Sequence, residues 1–172
     1  MDITAYKNAP TKTVDVGGVR FAYRQLGTDT GVPVIFLHHL GAVLDNWDPR
    51  IIDGIAARHR VITFDNRGIG ASQGSTPDSI EAMARDAVAS FRAQLKAIHA
   101  WGLQEPSDLT GIEQPVLVAN GDNDRMVPSS NSADLARRLP HAQLILYRDA
   151  GHGGIFQYHE AFVKEALQFL ES

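Results

Sequence analysis

Gly70-Ala71-Ser72-Gln73-Gly74 reads G-x-S-x-G. In that pattern a tight turn between a strand and a helix exposes a serine hydroxyl, which can attack a carbonyl carbon. Such a serine needs a base to take its proton and a carboxylate to orient the base. The chain offers both residue types. His38 and His39 follow VPVIFL, Asp65 and Arg67 follow VITF, Asp122 and Asp124 follow VLVAN, and Gly151-His152 come after LILY. Imidazole and carboxylate at four such places imply a ligand or catalytic site. His38, His39, Asp122, Asp124 and His152 could also serve a metal ion, but their spacing is not diagnostic of one. No metal and no cofactor is therefore assigned.

These side chains must be held by the elements around them. TKTVDVGGVRFAYRQLG alternates apolar and polar residues around Gly17-Gly18, which predicts an antiparallel hairpin with one wet face. VPVIFLHH, RVITFD, QPVLVANG and AQLILYRDAG are apolar runs, which predict strands buried on both faces, as in a parallel sheet. Asp48-Pro49 is an N-cap followed by proline at the first helical position, opening a helix to about Arg58. Ile80, Met83, Ala87, Val88, Phe91, Leu95, Ile98 and Trp101 recur at three- and four-residue steps and predict one long helix from Asp78 to Gly102. SSNSADLARRL and YHEAFVKEALQFLE predict two more helices. Strands alternating with helices give an α/β fold of three layers, α/β/α, around a mostly parallel twisted sheet. In such sheets ligands bind beyond the carboxyl ends of the strands, where the polar residues stand.

Composition narrows the functions. A chain of 172 residues is long enough for one domain with its own core. Its 16 basic and 20 acidic residues give a net charge of -4, and a duplex-binding surface needs a basic excess, so nucleic acid is not expected as a partner. There are no cysteines and no leader-like apolar run after a basic patch, which fits a cytoplasmic setting. No apolar run approaches the roughly 20 residues of a membrane span.

The spacing of Ser72 argues against the chemistry its motif offers. Ser72 lies seven residues beyond Asp65, and further loop residues separate it from the helix that opens near Asp78. A nucleophile elbow sits directly between strand and helix. This serine is expected to be a loop residue bonded locally to backbone.

The ordered motifs resemble the α/β-hydrolase family. Leu37 to Trp47, LHHLGAVLDNW, is similar to its oxyanion loop; Asp65 to Ser72 is similar to D-x-R-G-x-G-x-S; Gly121, Asp124 and Pro128 fit G-x-x-D-x-x-x-P; and Gly151-His152 fit its G-H. The resemblance implies His152 as the catalytic base, Asp124, with Asp122 as rival, as the acid that orients it, and His38, His39 and the Leu40 N–H as the oxyanion and substrate loop. It makes Ser72 a loop residue. It implies that the strand carrying the family's nucleophile, and the cap, are missing, with the flanks joined near Ser90-Phe91. The expectation is a single truncated domain over residues 1–172, with strand order hairpin, VITF, VIFL, VLVAN, LILY. Asp65 and Arg67 are expected to pair structurally.

Two functions follow as expectations. One is an esterase- or perhydrolase-like protein that keeps the base, acid and oxyanion loop but lacks a nucleophile, and so acts on small ester or acyl substrates weakly or not at all. The other is a non-catalytic binding or self-assembly module on the same scaffold. The apolar stripe through Leu95, Ile98 and Trp101 outruns the length a helix needs to cross a sheet, which implies a homodimer or a segment-exchanged oligomer.

Overall fold

A computed structural model of the chain describes residues 5–28, 31–38, 41–75 and 103–172. The helix expected from Asp78 to Gly102, the junction near Ser90-Phe91 and the self-association argued from them lie outside the described residues, as do His39 and Leu40. The chain forms two compact units, divided between Glu105 and Pro106.

In the first unit, β1 (Lys12–Val16) and β2 (Val19–Leu26) pair antiparallel, with Lys12 opposite Tyr23 and Val16 opposite Val19. Gly17 and Gly18 both have positive φ, 61° and 80°. A two-residue hairpin turn whose twist matches the strands requires this, and glycine adopts it without strain. β3 (Val34–Phe36) leads through α1 (Pro49–Ala56) to β4 (Val61–Phe64), which pairs parallel with β3 and antiparallel with β2. The sheet order is β1-β2-β4-β3, as the sequence predicts for this half.

α1 begins where expected, with the Asp48 carboxylate accepting the Arg50 N–H at 2.9 Å and Pro49 next in line. It buries Ile51, Ile52, Ile55 and Ala56 against the sheet, beside Ala22, Val61 and Thr63. Tyr6 pins the chain's beginning to this core. Its N–H donates to Asp53 Oδ1 at 2.7 Å, and its hydroxyl meets the Leu44 carbonyl and, at 3.1 Å, Thr63 Oγ1. The apolar run VPVIFL is not buried on both faces: Ile35 is 54% exposed, and with Val14, Val16, Phe21, Tyr23, Ile62 and Phe64 it lines an open hollow. Hydrophobicity alone marks a side chain able to be buried, not a neighbour that buries it.

In the second unit, β5 (Val116–Gly121) and β6 (Ala142–Tyr147) run parallel and in register, from Val116 opposite Ala142 to Gly121 opposite Tyr147. α2 (Ser129–Arg138) connects them, and α3 (Gly154–Gln157) and α4 (His159–Leu170) follow. Val118, Leu139, Tyr147, Ala150 and Ala166 form the core, and the rings of Tyr147 and Tyr158 stack at 5.1 Å. β6 also departs from the expected double burial. Leu144 and Leu146, two residues apart and so on one face, are 38% and 41% exposed. The expected step from VIFL to VLVAN would join the two units, and each is described by itself. Among the described residues no helix is long and apolar enough to cross a membrane.

Candidate active site

β5 ends at Gly121, and the chain turns sharply through Asp122 and Asn123 to Asp124. Asp124 is 6% exposed, whereas Asp122 faces solvent. One carboxylate oxygen of Asp124, Oδ1, accepts the N–H groups of Met126 at 2.9 Å and Val127 at 3.0 Å, a local turn of the kind aspartate favours. The other, Oδ2, lies 2.9 Å from Nδ1 of His152. Of the two rival carboxylates, Asp124 is the one brought to the imidazole.

His152 reaches this position because its loop is tied to the same strand end. The Asp122 N–H donates to the Tyr147 carbonyl at 2.9 Å and the Asn123 N–H to the Ala150 carbonyl at 3.0 Å. Asp149 turns the chain out of β6 with φ 55°, a left-handed conformation that aspartate tolerates better than most residues. The side chain of His152 is 53% exposed while that of Asp124 is 1% exposed. One ring nitrogen is thus held by a buried carboxylate and the rest of the ring is open to an incoming molecule. This fixes the proton on Nδ1, leaves the Nε2 lone pair to act as base, and supports the imidazolium once it forms. A cleft in the same unit runs beside the pair, lined by Val116 to Asn120, Val127, Ser132, Leu135 and Ile155.

Burial pushes the Asp124 carboxyl up. The hydrogen bond to His152, the Val127 and Met126 N–H groups and the imidazolium charge outweigh this and hold its pKa at about 2. An unfolded aspartate titrates near pH 3.9, at about the usual carboxylate value. With the folded value below the unfolded one, the stability that ionised Asp124 contributes is complete above about pH 4 and is lost as pH falls toward 2. Urea unfolding between pH 5 and 2 will show the gap between wild type and Asp124→Asn closing as the solution is acidified. A gap constant across that window would mean that the folded environment does not favour the carboxylate.

Ser72 belongs to the first unit and is bonded to backbone. It is 8% exposed. Extending the β2–β4 register by one step sets Ala22 opposite Asp65, and the Asp65 N–H does donate to the Ala22 carbonyl at 2.9 Å. The reciprocal bond of that rung is replaced by the serine. The Ala22 N–H donates to Ser72 Oγ at 2.8 Å, and Ser72 Oγ–H donates to the Asp65 carbonyl at 2.8 Å. The hydroxyl is spliced into the last rung of the ladder.

The Asp65 carboxylate is held by backbone, from Leu44 N–H at 2.7 Å and Ala71 N–H at 2.8 Å. The expected Asp65–Arg67 pair is not among the ion pairs of the described residues; the partners of the Asp65 carboxylate are these two backbone N–H groups. Gly70, with φ 55°, lets the loop close over it: a Cβ there would lie 2.3 Å from Asp65 Oδ2. His38 stands at the end of β3, its ring 5.5 Å from that of Trp47, which meets Phe36 edge-on at 4.9 Å. Among the described residues no three His, Asp or Glu side chains gather as a metal site would require.

Sequence reading did not single out Ser129. Its hydroxyl donates to the Gly121 carbonyl at 2.6 Å and accepts the Asp124 N–H at 3.2 Å. The only available signal was its place directly after Pro128 at a helix start, where serine suggests a cap.

Comparison with known proteins bears on the fold and the family. A family model described as alpha/beta hydrolase fold matches residues 32–103, and one described as TAP-like protein matches residues 89–172. The chain is 28% identical over 112 residues to a pimeloyl-[acyl-carrier protein] methyl ester esterase of Nitrosomonas europaea, covering 65% of this chain and 39% of the esterase. It is 39% identical over 80 residues to a putative carbamate hydrolase of a Caulobacter species, covering 46% of this chain and 29% of the hydrolase. A non-heme chloroperoxidase of Streptomyces lividans is 34% identical over 73 residues, with 42% of this chain and 26% of that protein covered. The chain thus spans well under half the length of these curated relatives. Among solved structures, an alpha/beta hydrolase fold protein from Chitinophaga pinensis matches with a TM-score of 0.93 at 28% identity, over 98% of this chain and 100% of that one. Two overlapping family matches that together run from residue 32 to residue 172, with the structural match over 98% of the chain, make this chain a member of the α/β-hydrolase fold family.

Proposed function

We propose that the chain is a weak ester or acyl hydrolase in which His152, oriented by Asp124, activates water directly, and in which Ser72 takes no chemical part. The observation that carries this reading is the 2.9 Å contact between His152 Nδ1 and Asp124 Oδ2, made while the imidazole remains half-exposed. Water attacks the ester carbonyl as Nε2 takes its proton. The tetrahedral intermediate then expels the alcohol, which leaves with the proton that Nε2 returns. Asp124 stays ionised throughout and stabilises the imidazolium. The curated relatives are named as a methyl ester esterase, a carbamate hydrolase and a non-heme chloroperoxidase, and the first of these supports small ester and acyl compounds as the substrate class.

Without a serine nucleophile, turnover of p-nitrophenyl acetate should fall roughly 10⁶-fold below that of an intact serine hydrolase, the order of loss that follows when such an enzyme is deprived of its serine. It should fall further, to the buffer rate, in His152→Ala. A fluorophosphonate probe should label no serine. Equal rates for wild type and His152→Ala would overturn the reading in favour of a binding module, and stoichiometric labelling of one serine would overturn it in favour of an ordinary acyl-enzyme.

A further inference from the structure

Ser129 is the first residue of α2, and its hydroxyl does not cap that helix. The position before it is Pro128, which makes no side-chain cap bond. Ser129 Oγ instead turns back onto the preceding loop. It donates to the carbonyl of Gly121, the last residue of β5, at 2.6 Å and accepts the N–H of Asp124 at 3.2 Å. One hydroxyl therefore ties the start of the loop, its middle and the helix that follows it. The two ends of the Asp124 residue are fixed from the same short stretch, its N–H by Ser129 and its Oδ1 by the N–H groups of Met126 and Val127. With those contacts made, Oδ2 is the atom left to meet His152 Nδ1, at 2.9 Å.

We infer that Ser129 is a positioning residue for the Asp124–His152 pair: its hydroxyl holds the Asp124 backbone where Oδ2 can fix the tautomer of His152. The inference rests on the reading of that pair as the chain's base, and on no other part of the proposed reaction. The physical reasoning is direct. The tautomer of a neutral histidine is set by the hydrogen bond that one ring nitrogen makes. Asp124 reaches the ring through a backbone loop, and a loop anchored at fewer points samples more positions. Ser129 is half-buried, so water can replace its hydroxyl and keep the loop folded, but a water is not attached to α2 and so cannot tether Gly121 and Asp124 to that helix. Threonine at 129 retains the hydroxyl; alanine removes it.

The test uses the full chain, uniformly ¹⁵N-labelled, at a pH where the imidazole is neutral. Long-range ¹H–¹⁵N correlation spectra report which ring nitrogen of His152 carries the proton, with the signals assigned by their absence from His152→Gln. Wild type should show Nδ1–H as the dominant form. In Ser129→Ala the ratio of Nδ1–H to Nε2–H should drop roughly two- to tenfold, the change expected when one hydrogen bond is weakened. It should shift in the direction of Asp124→Asn, while Ser129→Thr keeps the wild-type ratio. A Ser129→Ala protein with a lower melting temperature and an unchanged tautomer ratio would overturn the inference, leaving Ser129 a structural residue. Should Ser129→Ala fail to fold, Ser129→Cys, with its weaker S–H donor, must show an intermediate ratio, and a wild-type ratio there would overturn it equally. A wild-type ring without dominant Nδ1–H would overturn the pair and this inference together. An intact tautomer signature in a protein that turns over no ester would overturn the proposed activity alone.

Discussion

Ser72→Ala will lower the stability of the protein and leave its ester turnover per folded molecule unchanged. The serine hydroxyl stands between two backbone groups of a single ladder rung, accepting the Ala22 N–H and donating to the Asp65 carbonyl, each at 2.8 Å. Alanine removes both bonds at a position only 8% exposed. A donor and an acceptor are then left without partners in the interior. Each such orphan costs about 1–3 kcal/mol, so the expected loss is about 2–6 kcal/mol. For a chain of this size that corresponds to a fall of roughly 4–24 °C in melting temperature. The opposite pattern would mark a nucleophile. Active-site residues are often held at a cost to stability, so their removal abolishes activity while leaving the melting temperature unchanged or raised. Scanning calorimetry beside a p-nitrophenyl acetate assay separates the two, and loss of turnover at wild-type stability would refute the structural role.

The same serine shows what the sequence could and could not reveal. Its separation from strand and helix is a chain-distance argument and is legible in one dimension. Its place in the β2–β4 ladder depends on register, which no local pattern states. The hairpin at Gly17-Gly18 and the start of α1 at Asp48-Pro49 are written in residues whose backbone preferences are strong, and they form where expected. The apolar runs VPVIFL and AQLILY predict double burial, but burial is a property of what lies on each face, and Ile35, Leu144 and Leu146 each present an open one. Asp65 and Arg67 look like an ion pair because opposite charges stand two residues apart. The carboxylate is in fact taken by the N–H of Leu44, 21 residues earlier, and by that of Ala71. A buried carboxylate gains as much from backbone donors as from a guanidinium, and sequence spacing cannot distinguish the two. Asp124 and His152 stand 28 residues apart and were matched only through family motifs. Their contact needs parallel neighbouring strands, whose carboxyl ends lie side by side.

Gly121→Ala should be the most damaging single-methyl change near that pair. Gly121 closes β5, and the loop that carries His152 lies directly against it. A Cβ on Gly121 would stand 2.1 Å from the carbonyl oxygen of Ala150 and 2.5 Å from that of Gly151. Both obstacles are backbone, so no side-chain rotation relieves them. The opposing Gly154 is also tightly placed, with a Cβ there reaching to 2.8 Å from Gly121 N. Two glycines facing one another let the 150–154 segment approach the strand end more nearly than any side chain would permit, and that approach sets His152 beside Asp124. A methyl group must push the loop outward by an ångström or more. Overpacking of this kind costs about 1–3 kcal/mol where neighbours can yield and more where they are backbone, so about 3 kcal/mol or above is expected. The displaced loop should also break the Nδ1–Oδ2 contact. Gly151→Ala supplies the control, one residue from the imidazole in the same loop. A Cβ there meets nothing within 4 Å and its φ is not in the left-handed range, so its effect should stay within about 0.5 kcal/mol. Urea unfolding of the two variants, with the His152 ring followed by ¹⁵N resonance, compares a methyl added against backbone with one added into open space. Equal tolerance of both would mean that the strand end does not press on the loop, and that His152 is held by the hydrogen bond to Asp124 without this close packing behind it.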